Sequence, residues 1–293
     1  MFLLAVLLDN RNDFYLKMKK DYQGFGYNMA LIEYPNGSAQ IRIYDKPLVA
    51  FTEKSSEDIY TKDPFHGSLV REVEDIVPPI DALESRRISL SRTKRMISDY
   101  ARCFRWEWFC TFTFSKDKVN RTDYKECCKK IRTWLKNARD RKAPNLSYLV
   151  VPELHKDMES WHMHALLGNT GEIKFSNSGI IKKGRIIYNI SGWTQGFSTA
   201  TKVTDIYRLQ KYILKYMTKE CHVMAKGWHR YYVSDNLPKP KKSIFVVEKG
   251  TEEKLTNEIA DSLGKKVSWI SHSHNIPGTY MGVTYIELQP YEK

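Results

Sequence analysis

Two short apolar runs, Ser147–Glu153 (SYLVVPE) and Trp161–Leu167 (WHMHALL), flank a polar stretch, His155–Ser160. Runs of this length, rich in branched and aromatic residues and joined by so short a connection, predict an antiparallel β-hairpin. Side chains alternate between the faces of a strand. Trp161, Met163, Ala165 and Leu167 therefore share one face, and His162, His164 and Leu166 take the other. The first set packs into a core. The second brings two imidazoles to one face, where they can chelate one cation. The hairpin also sets Glu153 across the ladder from His162, completing a mixed nitrogen and oxygen set suited to a divalent metal with open positions. His155 competes as third ligand and ranks below Glu153 because it falls in the turn. An isolated His-x-His is a weak motif. The chain carries a second one, His272-Ser-His274, which runs into Asn-Ile-Pro-Gly and reads as loop.

The remaining pattern alternates strands with two basic helices. Residues 26–45 alternate around Pro35-Asn36-Gly37 and predict a β-hairpin. Residues 52–80, with Pro64, Pro78 and Pro79, read as an irregular connection. A helix is expected over 82–103, a strand over Trp106–Phe114, and a second helix over 121–142 with Ile131, Trp134 and Leu135 as its apolar stripe and Asn120 or Thr122 as its cap. Two strands are expected within 184–203, a helix over 205–220, and mixed strands and loops from 228 onward. This order predicts an α+β fold, a central antiparallel sheet flanked by helices with an N-terminal β-hairpin extension.

On the helix at 205–220, Tyr212, Lys215, Tyr216 and Lys219 fall within an arc of roughly 100°, and Ile206, Ile213, Leu214 and Met217 fall on another. A phenol is a weak nucleophile. It needs a polarised electrophile and a nearby cation, and a lysine three residues on supplies the cation.

The formal net charge is +13 and the pI about 9.3, which points to a polyanionic partner. The basic residues cluster. Arg86, Arg87, Arg92, Lys94 and Arg95 lie on the first helix, eight more from Lys125 to Lys142 on the second, and Lys239, Lys241 and Lys242 further on. With Trp161, Trp193, Trp228 and Tyr231 they predict a groove that tracks a nucleic-acid backbone and stacks its bases. No stretch is long enough to span a bilayer. The opening MFLLAVLL has no basic residue before it and makes a poor signal peptide, and Met18 is an alternative start. Five cysteines without Cys-x-x-Cys spacing read as free thiols in a reducing compartment.

Three segments in order carry a resemblance. Cys110-Thr-Phe-Thr-Phe-Ser115, Glu153 through His162-Met-His164-Ala165, and Tyr212-Ile-Leu-Lys-Tyr-Met-Thr-Lys219 together resemble the HUH endonucleases. They are most similar to the two-tyrosine rolling-circle replication initiators of small single-stranded-DNA phages and related plasmids. The resemblance covers about 105–245. It implies three segments: an N-terminal extension over 1–104, an endonuclease domain over 105–247 and a C-terminal extension over 248–293. It further implies an RRM-like sheet, a Mg²⁺ or Mn²⁺ ion on His162, His164 and Glu153, and Tyr212 and Tyr216 as nucleophiles assisted by Lys215 and Lys219. The implied reaction nicks single-stranded DNA at a replication origin, leaving a 5′-phosphotyrosyl link and a free 3′-OH. Host helicase and polymerase would be partners, with no membrane, in the cytoplasm of a bacterial host cell. A transposase or relaxase of the same chemistry is one rival. A non-catalytic RRM-like nucleic-acid-binding module, which would need no histidine pair, is another.

Overall fold

The computed structural model of the protein describes residues 22–53, 82–155, 157, 159–204, 213, 228–276 and 281–291. Among these it is an α+β fold with two antiparallel sheets and three helices. They fall into two compact units, one drawn from both ends of the chain (up to Ser91 and from Lys239) and one from Arg92–Pro238.

In the first unit, β1 (Tyr22–Glu33) and β2 (Ala39–Glu53) form the hairpin expected from Pro35-Asn36-Gly37, where Gly37 takes a positive φ of 87°. They share a sheet with the C-terminal strands β10 (Lys241–Phe245), β11 (Lys265–Ile276) and β12 (Met281–Pro290) in the order β10-β1-β2-β12-β11. The first strand of the chain thus pairs with residues more than two hundred positions away, Met29 with Phe245 for example. One face, including Met29, Leu31, Ile41 and Leu288, packs on Ile259 and Ala260 of the helix Glu252–Ser262. The second His-x-His lies on β11, not in a loop. Ladder pairing with β12, His272 opposite Thr284, supplies the hydrogen bonds that so polar a segment does not advertise locally.

In the second unit, seven strands run in the order β6-β7-β8-β3-β5-β4-β9. They are β3 (Trp108–Phe112), β4 (Ser147–Leu154), β5 (Trp161–Gly168), β6 (Phe175–Lys182), β7 (Arg185–Ile190), β8 (Ser198–Lys202) and β9 (Tyr232–Val233). β6 adds to the expected strands: its Ser-Asn-Ser-Gly core lacks the strand composition, and pairing with β7 makes it. Helix α1 is Ala82–Arg102 and α2 is Tyr124–Arg141. The cap of α2 is Asp123, not Asn120 or Thr122. Its carboxylate accepts from the backbone N–H of Lys125 and Glu126 at 2.8 and 3.2 Å, while Asn120 instead receives the Thr122 N–H and hydroxyl. Tyr124, Cys127, Cys128, Ile131, Leu135 and Ala138 recur at helical spacing and are all buried. They pack on Cys110, Phe112, Val150, Met163, Ala165 and Leu167 of the sheet.

Two aromatic expectations are corrected. Trp161 and Trp193 are not stacking platforms for bases; they are 4% and 7% exposed and belong to this core. Burying an indole stabilises the sheet–helix layer more than an exposed ring would. Trp228, half-buried, stacks on Tyr124 at 4.3 Å between centroids, and Tyr231 leans on Tyr100. The four described cysteines, Cys103, Cys110, Cys127 and Cys128, are free and buried; Cys221 lies outside the described residues. No helix of the described residues is long and apolar enough to cross a membrane.

Candidate active site on the second face of the sheet

The alternation expected for β5 holds. Trp161, Met163, Ala165 and Leu167 face α2, which leaves His162 and His164 on the opposite side of the sheet. The same alternation on the neighbours sets Phe109 and Thr111 of β3, and Val151 and Glu153 of β4, on the histidine face. The register is Glu153 opposite His162, Val151 opposite His164 and Thr111 opposite His164. The sheet therefore separates α2, with its lysines and arginines, from the histidines. A strand held at the histidines does not lie along α2. Two of the basic residues of α2 are engaged on its own side, Lys136 with Asp140 and Arg139 with Asp235.

His164 is the most enclosed of the candidates, 4% exposed. Its Nδ1 lies 3.1 Å from the Thr111 hydroxyl, its Nε2 is in hydrogen-bond contact with Glu153 Oε2, and its ring lies against Phe109. Glu153 thus stands opposite His162 in the ladder but sends its carboxylate diagonally to His164, a reach that adjacent strands permit. A carboxylate only accepts, so Nε2 carries a proton in this arrangement.

His162 is half-buried, and its ring stacks on that of His155 at 4.6 Å. Burial, with the neighbouring His155 and His164, holds its imidazolium pKa down to about 4. At neutral pH it is an uncharged base with a lone pair free for a cation. His155 sits in the turn, as expected, and is exposed. Its Nδ1 is 3.6 Å from Asp157, which also gathers the Ser160 and Glu159 N–H groups and the Ser160 hydroxyl. Those hydrogen bonds hold the Asp157 carboxyl well below its usual range.

Among the described residues no three histidine, cysteine or acidic side chains are drawn together as a preformed metal cage. Glu153 is spent on His164, and His162 is turned toward His155. The donor types still fit a hard or borderline divalent cation: two imidazoles and one carboxylate on adjacent strands. Ligation would replace the Glu153–His164 hydrogen bond, and Thr111 would remain the partner of the far ring nitrogen. Thr111 is a site residue that the sequence pattern does not single out. The signal that could have found it is the two-residue spacing from Phe109, within a strand one ladder from the histidines. Tyr212, Lys215, Tyr216 and Lys219 lie outside the described residues. Ile213, which the aliphatic stripe put on the inner arc, is helical and fully buried.

These observations define an α+β domain whose central sheet carries a carboxylate and two histidines on the face away from its principal helix. Residues 107–221 match the sequence model of a family described as replication-associated protein ORF2. The match spans less than half of the chain and is consistent with an initiator of the rolling-circle type. No curated protein and no solved structure gives a match.

Proposed function

We propose that the protein is a replication-associated nickase that cuts single-stranded DNA at an origin with a tyrosine nucleophile. The observation that carries this reading is the family match over 107–221, which encloses all three segments of chemistry: Cys110–Ser115, Glu153–Ala165 and Tyr212–Lys219. His162, His164 and Glu153 would hold Mg²⁺ or Mn²⁺. The cation would act as a Lewis acid on the non-bridging oxygens of the scissile phosphate. Tyr212 or Tyr216 attacks phosphorus through its phenolic oxygen and loses its proton. The P–O3′ bond breaks, the 3′ oxygen takes up a proton, and the 5′-phosphate remains on the tyrosine. Lys215 and Lys219 stabilise the negative charge that develops on the phenolic oxygen as it attacks. Two tyrosines one helical turn apart allow one to hold the 5′ end while the other attacks the regenerated junction.

The test is incubation with a panel of single-stranded origin oligonucleotides and Mn²⁺, followed by denaturing electrophoresis and peptide mapping of any covalent adduct. The expected adduct maps to Tyr212 or Tyr216, is absent from the Tyr212→Phe/Tyr216→Phe variant, and is lost in His162→Ala or His164→Ala with DNA binding retained. Full nicking by either histidine variant would sink the metal assignment. Binding of every oligonucleotide with no cleavage of any would favour the non-catalytic binding module.

A further inference from the structure

The hairpin β6–β7 has no part in the site described above, yet it is the most unusual surface of its unit. Its base is anchored: Phe175 stacks on Trp108 at 4.0 Å and Tyr188 meets the same indole edge-on at 5.0 Å. Beyond Tyr188, the one β7 residue in ladder register with β8, the two strands continue only with each other, closing at Ile181–Ile186 and Lys182–Arg185. The tip is a tight two-residue turn in which Lys183 and Gly184 both have positive φ, 49° and 73°. This is the geometry that matches strand twist and makes a defined ribbon.

What the ribbon exposes is unusual on two counts. Ile180, Ile181 and Ile186 are 54%, 70% and 42% exposed, and Ile181 and Ile186 are cross-strand neighbours that form an apolar ledge. Next to the ledge, Lys182 and Arg185 stand directly opposite each other, an arrangement that disfavours the free ribbon. No acidic residue occurs anywhere from Ile173 to Thr204, and among the described residues neither cation is ion-paired. Uncompensated like charges beside an exposed apolar pair select a polyanion with apolar surface within reach, and double-stranded DNA offers both in one groove.

We propose that β6–β7 is a duplex-binding arm. It enters a groove of the double-stranded DNA that flanks the strand to be cut, with Lys182, Lys183 and Arg185 on phosphates and the Ile181–Ile186 ledge against base edges. The proposal rests on the nickase reading and adds a second DNA site to it. The dimensions agree. From Tyr188 to the tip is five residues, about 15 Å at ~3.3 Å per residue, enough to fill a major groove ~8.5 Å deep that admits a two-stranded ribbon. The register also fixes which way the arm points. Ala165, Cys110, Ala200 and Tyr188 lie in one row across the sheet. His162 lies three residues from that row toward one end and Lys183 five toward the other. The tip is therefore about 26 Å along the strands from His162 at ~3.3 Å per residue, close to eight base-pair steps at ~3.4 Å each.

The test compares the full chain on two labelled probes: oligo-dT, and a hairpin oligonucleotide whose stem carries an oligo-dT tail, matched in total length. The wild type should bind the tailed hairpin about tenfold more tightly. Ile181→Ser/Ile186→Ser should erase that preference and leave oligo-dT affinity unchanged. Lys182→Ala/Arg185→Ala should lower tailed-hairpin affinity and reduce the slope of log affinity against log salt by about 1.8, at ~0.9 for each phosphate left unneutralised. If both variants keep the full preference while binding oligo-dT, the arm assignment is overturned and the nickase reading stands. If the wild type itself binds neither probe, the nickase reading falls and the arm with it. A wild-type dimer that Ile181→Ser/Ile186→Ser converts to monomer with unchanged DNA affinities would make the ledge a contact between copies and overturn the proposal.

Discussion

Replacing Thr111 by valine removes one hydroxyl and keeps the shape of the side chain. That hydroxyl is 3.1 Å from His164 Nδ1, in a site where the histidine is 4% exposed and its other nitrogen is committed to Glu153. No solvent reaches in to replace it, so Nδ1 is left unpartnered at a cost of about 1–3 kcal/mol. Thr111→Ser keeps the hydroxyl and loses one methyl group, worth at most ~0.8 kcal/mol and less here because Thr111 is only half-buried. Urea unfolding followed by tryptophan fluorescence is the assay. Six of the seven tryptophans lie between Arg92 and Pro238, so the signal reports mainly the unit that holds the site. The valine variant should also bind Mn²⁺ about ten- to a hundredfold more weakly, because a ligating imidazole is oriented by the partner of its other nitrogen; the serine variant should keep most of the affinity. A valine variant within ~0.5 kcal/mol of wild type, the range of an inconsequential surface change, and with unaltered Mn²⁺ affinity would refute the reasoning.

Gly196→Ala should destabilise the same unit by about 1–3 kcal/mol or more, read by urea unfolding. The added Cβ would stand 2.4 Å from the Thr113 carbonyl oxygen and 2.7 Å from the Ser115 nitrogen, backbone atoms held by ladder-like bonds to Phe197 and Gln195. His162 should make stability in EDTA pH-dependent. Its folded pKa of about 4 lies below the 6.5 of the free side chain, so the unfolded chain binds the extra proton. The contribution is full above pH 6.5 and is lost progressively as pH falls toward 4, and His162→Gln should flatten that stretch of the stability profile. Burial raises the thiol pKa of Cys103, Cys110, Cys127 and Cys128. The native protein should therefore give no more than one rapid equivalent of thiol reagent, with the rest appearing only on unfolding; fast modification of Cys110 by mass spectrometry would contradict its enclosure.

The sequence by itself determined what depends on local periodicity. The two-residue alternation of β5 put His162 and His164 on one face and Met163 and Ala165 on the other, and the short connection from Glu153 to Trp161 determined which strand would lie beside them. The helical spacing from Tyr124 to Ala138 likewise announced the inner face of α2. Only the tertiary structure decided what depends on residues distant in the chain. Thr111 reaches the ring of His164 because β3 docks beside β5. The Glu153 carboxylate takes the diagonal histidine instead of the one directly opposite. α2 lies across the sheet from the imidazoles, so its basic residues serve another side. The β1–β2 hairpin completes its sheet with strands from the other end of the chain, and His272 and His274 become part of a strand through pairing that their own residues do not encode. The physical reason is common to all of these: a ladder or a face-to-face contact is closed by its partner, and the free energy that selects the partner is shared between segments that no local window of sequence contains.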